Sequence, residues 1–149
     1  MADEPVSMLD VSIRAGILKL LRELSEGLQM AILYISHDLS LLGSICNKIA
    51  VMYAGEIVEM GRPEDIIDSP LHPYTKALIA AVPLPEFSRR RSRLAIVKGE
   101  PPDLINPVEG CSFQPRCEVA DIRCVTQKPQ LCKINEGHFV SCNRVGGLF

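Results

Sequence analysis

No run among the 149 residues approaches the ~18–20 consecutive apolar side chains that a helix needs to cross a bilayer, so a helical membrane span is excluded. The opening Met1-Ala2-Asp3-Glu4 is acidic and is not followed by an apolar core, so no secretory leader is expected. No G-x-x-x-x-G-K-[ST] segment occurs, which leaves the sequence without a phosphate-cradling loop. No two cysteines are separated by only two to four residues, the commonest zinc-site spacing. Internal repeats and low-complexity tracts are missing too. Tryptophan is absent, and the net charge is −2. That balance argues against a general nucleic-acid binder.

What is present is globular material. Hydrophobic residues make up 47% and charged residues 23%, enough apolar mass for a core, so a wholly disordered chain is excluded. The charge is not evenly spread. Residues 1–75 carry 5 Lys/Arg against 11 Asp/Glu, a net of −6, and residues 76–149 carry 11 against 7, a net of +4. Cys46 stands alone, and the other five cysteines fall between Cys111 and Cys142. Both shifts suggest two parts with different jobs.

The first part reads as α/β. From Ser12 to Leu28, Ile13, Ile17, Leu20, Leu21, Leu24 and Leu28 recur at steps that mark one face of an amphipathic helix. Asp10 is its expected N-cap and Gly27 its expected stop. Met30–Ile35 is a short apolar run, as in a strand buried on both faces. Leu39–Cys46 predicts a short helix, with Asp38 as its cap and Cys46 as a core thiol. Lys48–Tyr53 and Glu56–Met60 flank Ala54-Gly55 and predict a β-hairpin. Strand–helix–strand order predicts a parallel sheet with crossover helices. Eight of the 11 prolines then fall between Pro63 and Pro107, with short helices expected at Pro63–Asp68 and Tyr74–Val82. Arg89–Arg93 forms a basic cluster without interleaved aromatics, which suits a solvated loop, a membrane surface or an acidic partner better than nucleic acid.

Two features could carry phosphate chemistry. Asp3 and Glu4 are adjacent carboxylates. At a strand end, one can hold Mg²⁺ while the next orients a nucleophilic water. The competing reading is a solvated acidic terminus. His37 follows the apolar strand at its C-terminal end, where open α/β sheets bind ligands. It could contact a phosphate or make a structural hydrogen bond.

The order Asp3-Glu4-Pro5, Ser7-Met8-Leu9-Asp10, helix, then a strand ending Ser36-His37-Asp38 resembles the ATPase subunit of ABC transporters. Asp3 and Glu4 resemble the end of the Walker B strand, Ser7–Asp10 the D-loop, and His37 the switch histidine. Tyr53–Gly61 resembles the hairpin that follows. No Leu-Ser-Gly-Gly-Gln signature is present, so the resemblance is to the C-terminal part of such an ATPase, beginning inside its nucleotide site. The resemblance implies Glu4 as general base and His37 as γ-phosphate sensor. It implies Asp3 as support for Mg²⁺, and Ser7 and Asp10 as contacts across an ATPase dimer.

The second half narrows the family. Leu71–Leu78, Ala81-Val82-Pro83, Gly99–Pro102, Gly110–Cys117, Cys124 and Gly137–Cys142 resemble the C-terminal extension of oligopeptide and dipeptide importer ATPases. On their own spacing, Cys111, Cys117, Cys124 and the more distant Cys142 suit a compact metal or cluster site, with zinc, disulfides and free thiols as alternatives. The resemblance favours a four-iron four-sulfur cluster on those four residues, with zinc as the alternative cofactor. Cys132 falls outside the pattern. His138 is a possible substitute ligand or a residue of the turn after Gly137.

The expected architecture is therefore α/β. Residues 1–68 form part of a P-loop NTPase sheet with crossover helices, and residues 69–149 form a small irregular cysteine-rich module. The expected function is a fragment of the ATP-hydrolysing subunit of an importer for peptides, or for a solute such as nickel. Without a phosphate loop it is expected to be inactive alone. ATP and Mg²⁺ would be the parent's ligands. A second ATPase subunit, transmembrane permease subunits and, indirectly, an external solute-binding protein would be its partners. The expected location is the cytoplasmic face of the inner membrane. A competing class is a stand-alone cysteine-rich metal-binding module on an α/β scaffold.

Overall fold

The computed structural model describes residues 1–81, 103 and 105–145. The Arg89–Arg93 cluster, the Val82-Pro83 and Gly99–Pro102 motifs and the end of the helix expected to reach Val82 lie outside those residues. The chain divides into two compact units, Met1–Cys46 and Asn47–Phe149, so the sequence-based boundary at residue 68 falls inside the second.

The first unit is a β–α–β crossover with a further helix. Strand β1 (Ala2–Asp3) lies parallel to β2 (Tyr34–Ile35), in the register Ala2 to Tyr34 and Asp3 to Ile35. Helix α1 (Val11–Gly27) connects them. Asp10 occupies the N-cap position with extended backbone, but its side chain makes no capping bond. Arg14 supplies the local tie instead, donating to the carbonyls of Leu9 at 2.7 Å and Ser7 at 3.3 Å. Gly27 is still helical, and the left-handed residue is Gln29 at φ 53°. Ser25 then closes the end by accepting Met30 N–H at 2.9 Å and donating its hydroxyl to the Met30 carbonyl. Helix α2 (Leu39–Ile45) starts as expected, with Asp38 accepting from Leu41 N–H at 3.2 Å.

The strand expected over Met30–Ile35 is shorter and barer than its sequence suggests. Only Tyr34 and Ile35 pair, and Leu33 and Ile35 are 62% and 43% exposed. A parallel strand is buried only when strands flank it and helices cover both faces. In the described residues of this unit β2 has one neighbour, itself two residues long. The apolar stripe of α1 is left unburied for the same reason. Ile13, Leu20, Leu24 and Leu28 are exposed and Ile17 and Leu21 half-buried, while the buried Leu18 lies outside that stripe.

The second unit is built on an antiparallel sheet. Strands β3 (Ile49–Tyr53) and β4 (Glu56–Gly61) form the expected hairpin. Ala54 and Gly55 both have positive φ, 50° and 80°, the backbone that a two-residue turn matching strand twist requires. Ile49, Val51 and Tyr53 point inward and Ala50 and Met52 outward, the period of two of a half-buried strand. The short helices α3 (Pro63–Ile67) and α4 (Pro73–Ala81) follow, and Ile66 of α3 is fully buried.

The cysteine-rich region is less irregular than its composition suggests. A single 3₁₀ turn (Gln114–Arg116) and helix α5 (Ile122–Thr126) precede strands β5 (Cys132–Asn135) and β6 (His138–Val140). These last two complete a four-stranded sheet in the order β3-β4-β6-β5. An aromatic core joins the parts. The ring of Tyr53 lies 4.7 Å from Tyr74 and 5.1 Å from Phe113, and His72 lies 5.7 Å from Phe113. Phe113 and Tyr53 are both buried.

Candidate functional site

In the first unit the backbone brings together one acid and one histidine that are 33 residues apart. Glu4 follows β1 directly, its N–H bonded to the Ile35 carbonyl at 2.9 Å, and sits at φ 43°. A non-glycine residue at positive φ is held there by its surroundings. Here the chain leaves the strand sharply and turns the carboxylate toward the end of β2. Glu4 Oε1 accepts the backbone N–H of His37 at 3.1 Å and lies 2.8 Å from His37 Nδ1. A carboxylate opposite Nδ1 places the proton on that nitrogen. The His37 ring is otherwise open to solvent, at 81% exposure.

Ser7 joins the same turn. Its hydroxyl donates to the Glu4 carbonyl at 3.1 Å, and its N–H donates to the same oxygen. Asp3 closes β1, and Asp10 opens α1. Neither carboxylate is bonded to the Glu4–His37 pair. The structure therefore assembles Glu4, His37 and Ser7, and leaves Asp3 and Asp10 at its margin.

In the second unit four thiols converge from three pieces of chain. Cys111 and Cys117 flank the 3₁₀ turn, Cys124 lies in α5, and Cys142 follows β6. Cys124 and Cys142 are buried and Cys111 and Cys117 half-buried; none forms a disulfide. Burial pushes the Cys111 thiol up, a Phe113 N–H pulls it down, and the charges of Cys124, Cys142 and Cys117 push it up again. Burial also raises Cys117; Val119 N–H opposes this, Cys142 and Cys124 add to it, and Arg144 counters. Cys111 thus feels the charges of the other three, and Cys117 those of Cys142 and Cys124. Cys132, on β5, is not among the groups acting on either.

The fit to a metal group is one of donor chemistry. By residue type, four free thiols are the donors that a thiolate-bound centre would need, and binding would have to displace their protons. Among the described residues no group of three or more His, Cys, Asp or Glu side chains is arranged to hold a metal ion. His138 is not a reserve ligand or a turn residue. It opens β6, is buried, and holds Glu59 Oε1 through Nε2 at 2.8 Å.

Glu59 is the residue that sequence reasoning passed over. It is fully buried in β4, and both its oxygens are used. Oε1 accepts Leu71 N–H at 2.8 Å and meets His138, while Oε2 accepts His72 N–H at 3.0 Å. His72 in turn accepts Tyr74 N–H on Nδ1 at 3.1 Å. Burial pushes the His72 ring down to about 4 against the pull of Glu59, with Lys76 adding to the fall, so the ring is neutral at pH 7. This network ties the loop before α4 to the sheet. The only early signal was an acid inside the apolar run Ile57–Met60.

Residues 58–124 match the family described as "Oligopeptide/dipeptide transporter, C-terminal region". A peptide import ATP-binding protein of Brucella ovis is 46% identical over 143 residues, 96% of this chain and 45% of that protein. The oligopeptide transport ATP-binding protein OppF of Haemophilus influenzae is 41% identical over 144 residues, 96% of this chain and 43% of its own length. The dipeptide transport ATP-binding protein DppF of the same organism is 44% identical over 141 residues, 95% of this chain and 43% of its own. The chain thus spans less than half the length of these relatives.

Proposed function

We propose, from the match of residues 58–124 to the C-terminal region of oligopeptide and dipeptide transporters, that this chain is the C-terminal portion of the ATP-hydrolysing subunit of a peptide importer. The observation that carries the reading is the 2.8 Å contact between Glu4 and His37 beside the ends of two parallel strands. Glu4 is the general base that draws a proton from the attacking water. His37 reads the γ-phosphate through Nε2. With Nδ1–H directed at Glu4, Nε2 can donate to a phosphate oxygen only in the imidazolium form. Asp3 supports Mg²⁺ through its carboxylate, while Ser7 and Asp10 face a second ATPase subunit.

The absence of a phosphate-cradling loop sets a limit. Positioning and charge neutralisation of the nucleotide phosphates supply most of the catalysis in phosphoryl transfer. These 149 residues alone are therefore expected to show no hydrolysis. In the assembled transporter, two such subunits would act on permease subunits at the cytoplasmic face of the inner membrane, with an external solute-binding protein delivering peptide.

The second part of the reading concerns Cys111, Cys117, Cys124 and Cys142, which would hold a four-iron four-sulfur cluster. Such a cluster would supply a thiolate-bound staple to a segment with little apolar mass. A single zinc on the same thiols is the alternative.

The test joins this chain to the N-terminal portion of a peptide-import relative that carries a phosphate loop. Glu4→Gln in that protein should bind ATP and retain it without turnover, while His37→Ala should lower turnover. Release of product by Glu4→Gln at the rate of the parent removes the base assignment.

A further inference from the structure

A single guanidinium holds the bend that leads from β1 into α1. Beyond Glu4 the bend exposes Ser7, Met8 and Asp10, and Val6 is its buried residue. A segment with so little apolar contact opens readily unless hydrogen bonds hold it. The bonds within the bend are long. Ser7 N–H reaches the Glu4 carbonyl at 3.3 Å, and Leu9 N–H reaches the Val6 carbonyl at 3.2 Å. The short bond comes from the helix beyond. Arg14 Nε donates to the Leu9 carbonyl at 2.7 Å, and Nη2 of the same side chain donates to the Ser7 carbonyl at 3.3 Å. A planar, permanently charged fork is suited to hold two acceptors at a fixed separation.

Arg14 stands in the first turn of α1, where a cation faces the positive end of the helix dipole. Helix electrostatics disfavours it there, and the two carbonyls it holds account for its place. Asp10, at the N-cap, makes no side-chain capping bond, so it does not fix the bend in that way. Ser7 passes the restraint on. Its hydroxyl donates to the Glu4 carbonyl at 3.1 Å, beside the bond from its N–H. The bonds thus run in series from Arg14 to Ser7 to Glu4, which stands at φ 43° with Oε1 2.8 Å from His37 Nδ1. We propose that Arg14 is a positioning residue for Glu4, a clamp on the Ser7 and Leu9 carbonyls that keeps the Glu4 backbone left-handed and its carboxylate turned toward the end of β2. This role rests on Glu4 acting as the general base proposed above. Arg14 acts through the backbone and not on the attacking water.

The experiment has two arms, each with the wild type, Arg14→Ala and Arg14→Lys. In the first, the whole 149-residue chain is digested briefly with chymotrypsin, and cleavage between Ser7 and Asp10 is followed by mass spectrometry. Cleavage tracks the population of the open bend, so Arg14→Ala should be cut there ~10-fold faster, the effect of losing hydrogen bonds to a charged group. In the second, ATP turnover is measured in the joined protein described above. Arg14→Ala should lower kcat ~10-fold and leave KM for ATP nearly unchanged. Arg14→Lys, which can still donate to one carbonyl, should recover part of both effects. Melting should hardly change, because removing a cation from the first turn favours the helix. Unchanged cleavage in Arg14→Ala would overturn the clamp while leaving the assignment of Glu4 standing. Faster cleavage with unchanged kcat would show a clamp that does not position the base, and would overturn the proposal too. A large fall in melting with no recovery in Arg14→Lys would mean general destabilisation and count against it equally. A joined protein with Arg14 intact and no turnover would remove the reading of Glu4 and this role together.

Discussion

His72 should make the second unit acid-sensitive by an amount that can be worked from its surroundings. Its ring is 1% exposed, packs against Phe113, and accepts Tyr74 N–H on Nδ1. Burial holds it near 4, against 6.5 when free. Between those values the unfolded chain binds the proton and the folded chain does not, so stability falls as pH drops. The contribution is complete above about pH 6.5 and is withdrawn toward pH 4. A shift of this size corresponds to about 3 kcal/mol lost between pH 7 and pH 4. His72→Asn keeps an acceptor for Tyr74 and removes the titrating ring. Urea unfolding of both proteins at pH 7 and pH 4 gives the difference, in which other titrating groups largely cancel. The variant should be the weaker protein at pH 7, by about 1–3 kcal/mol of lost ring packing. It should recover by about 3 kcal/mol relative to the wild type at pH 4. A gap that stays constant with pH would refute the argument that this ring is held neutral by burial.

Other substitutions follow from contacts already described. Gly110 has φ +76°, and a Cβ there would meet the Cys124 carbonyl oxygen at 2.3 Å. Gly110→Ala should cost about 2 kcal/mol or more and lower the melting temperature, by strain against backbone that cannot move aside. Glu59→Gln turns one buried acceptor into a donor facing N–H groups of Leu71, His72 or His138. It should destabilise by about 1–3 kcal/mol in chemical denaturation.

The local features were legible because their causes are local. The three-and-four spacing of Ile13 to Leu28 gives α1, Asp38 gives the cap of α2, and Ala54-Gly55 gives the hairpin turn. Glu4 and His37 were legible as a motif, and their contact follows from parallel pairing of the strands that precede them. The four cysteines were legible as one set by type and spacing.

What escaped depends on distant partners. Strands β5 and β6 are short and mixed in composition; β6 becomes a strand by adding to β4 across more than 70 residues of chain, and β5 by adding to β6. Glu59 can sit in the core only because Leu71, His72 and His138 supply its hydrogen bonds, the last 79 residues away. The burial expected for Met30–Ile35 failed for the opposite reason. Its sequence anticipates flanking strands, and the described residues of its unit provide only β1.

As proposed above, residues 1–46 would complete a nucleotide site together with a phosphate loop on another stretch of protein. The most direct measurement is ATP turnover by this chain, alone and joined to the N-terminal portion of a peptide-import relative. The chain alone should show no turnover, the joined protein should turn over ATP, and Glu4→Gln should abolish this with ATP still bound. Hydrolysis by the isolated chain, or a joined protein indifferent to Glu4, would contradict it.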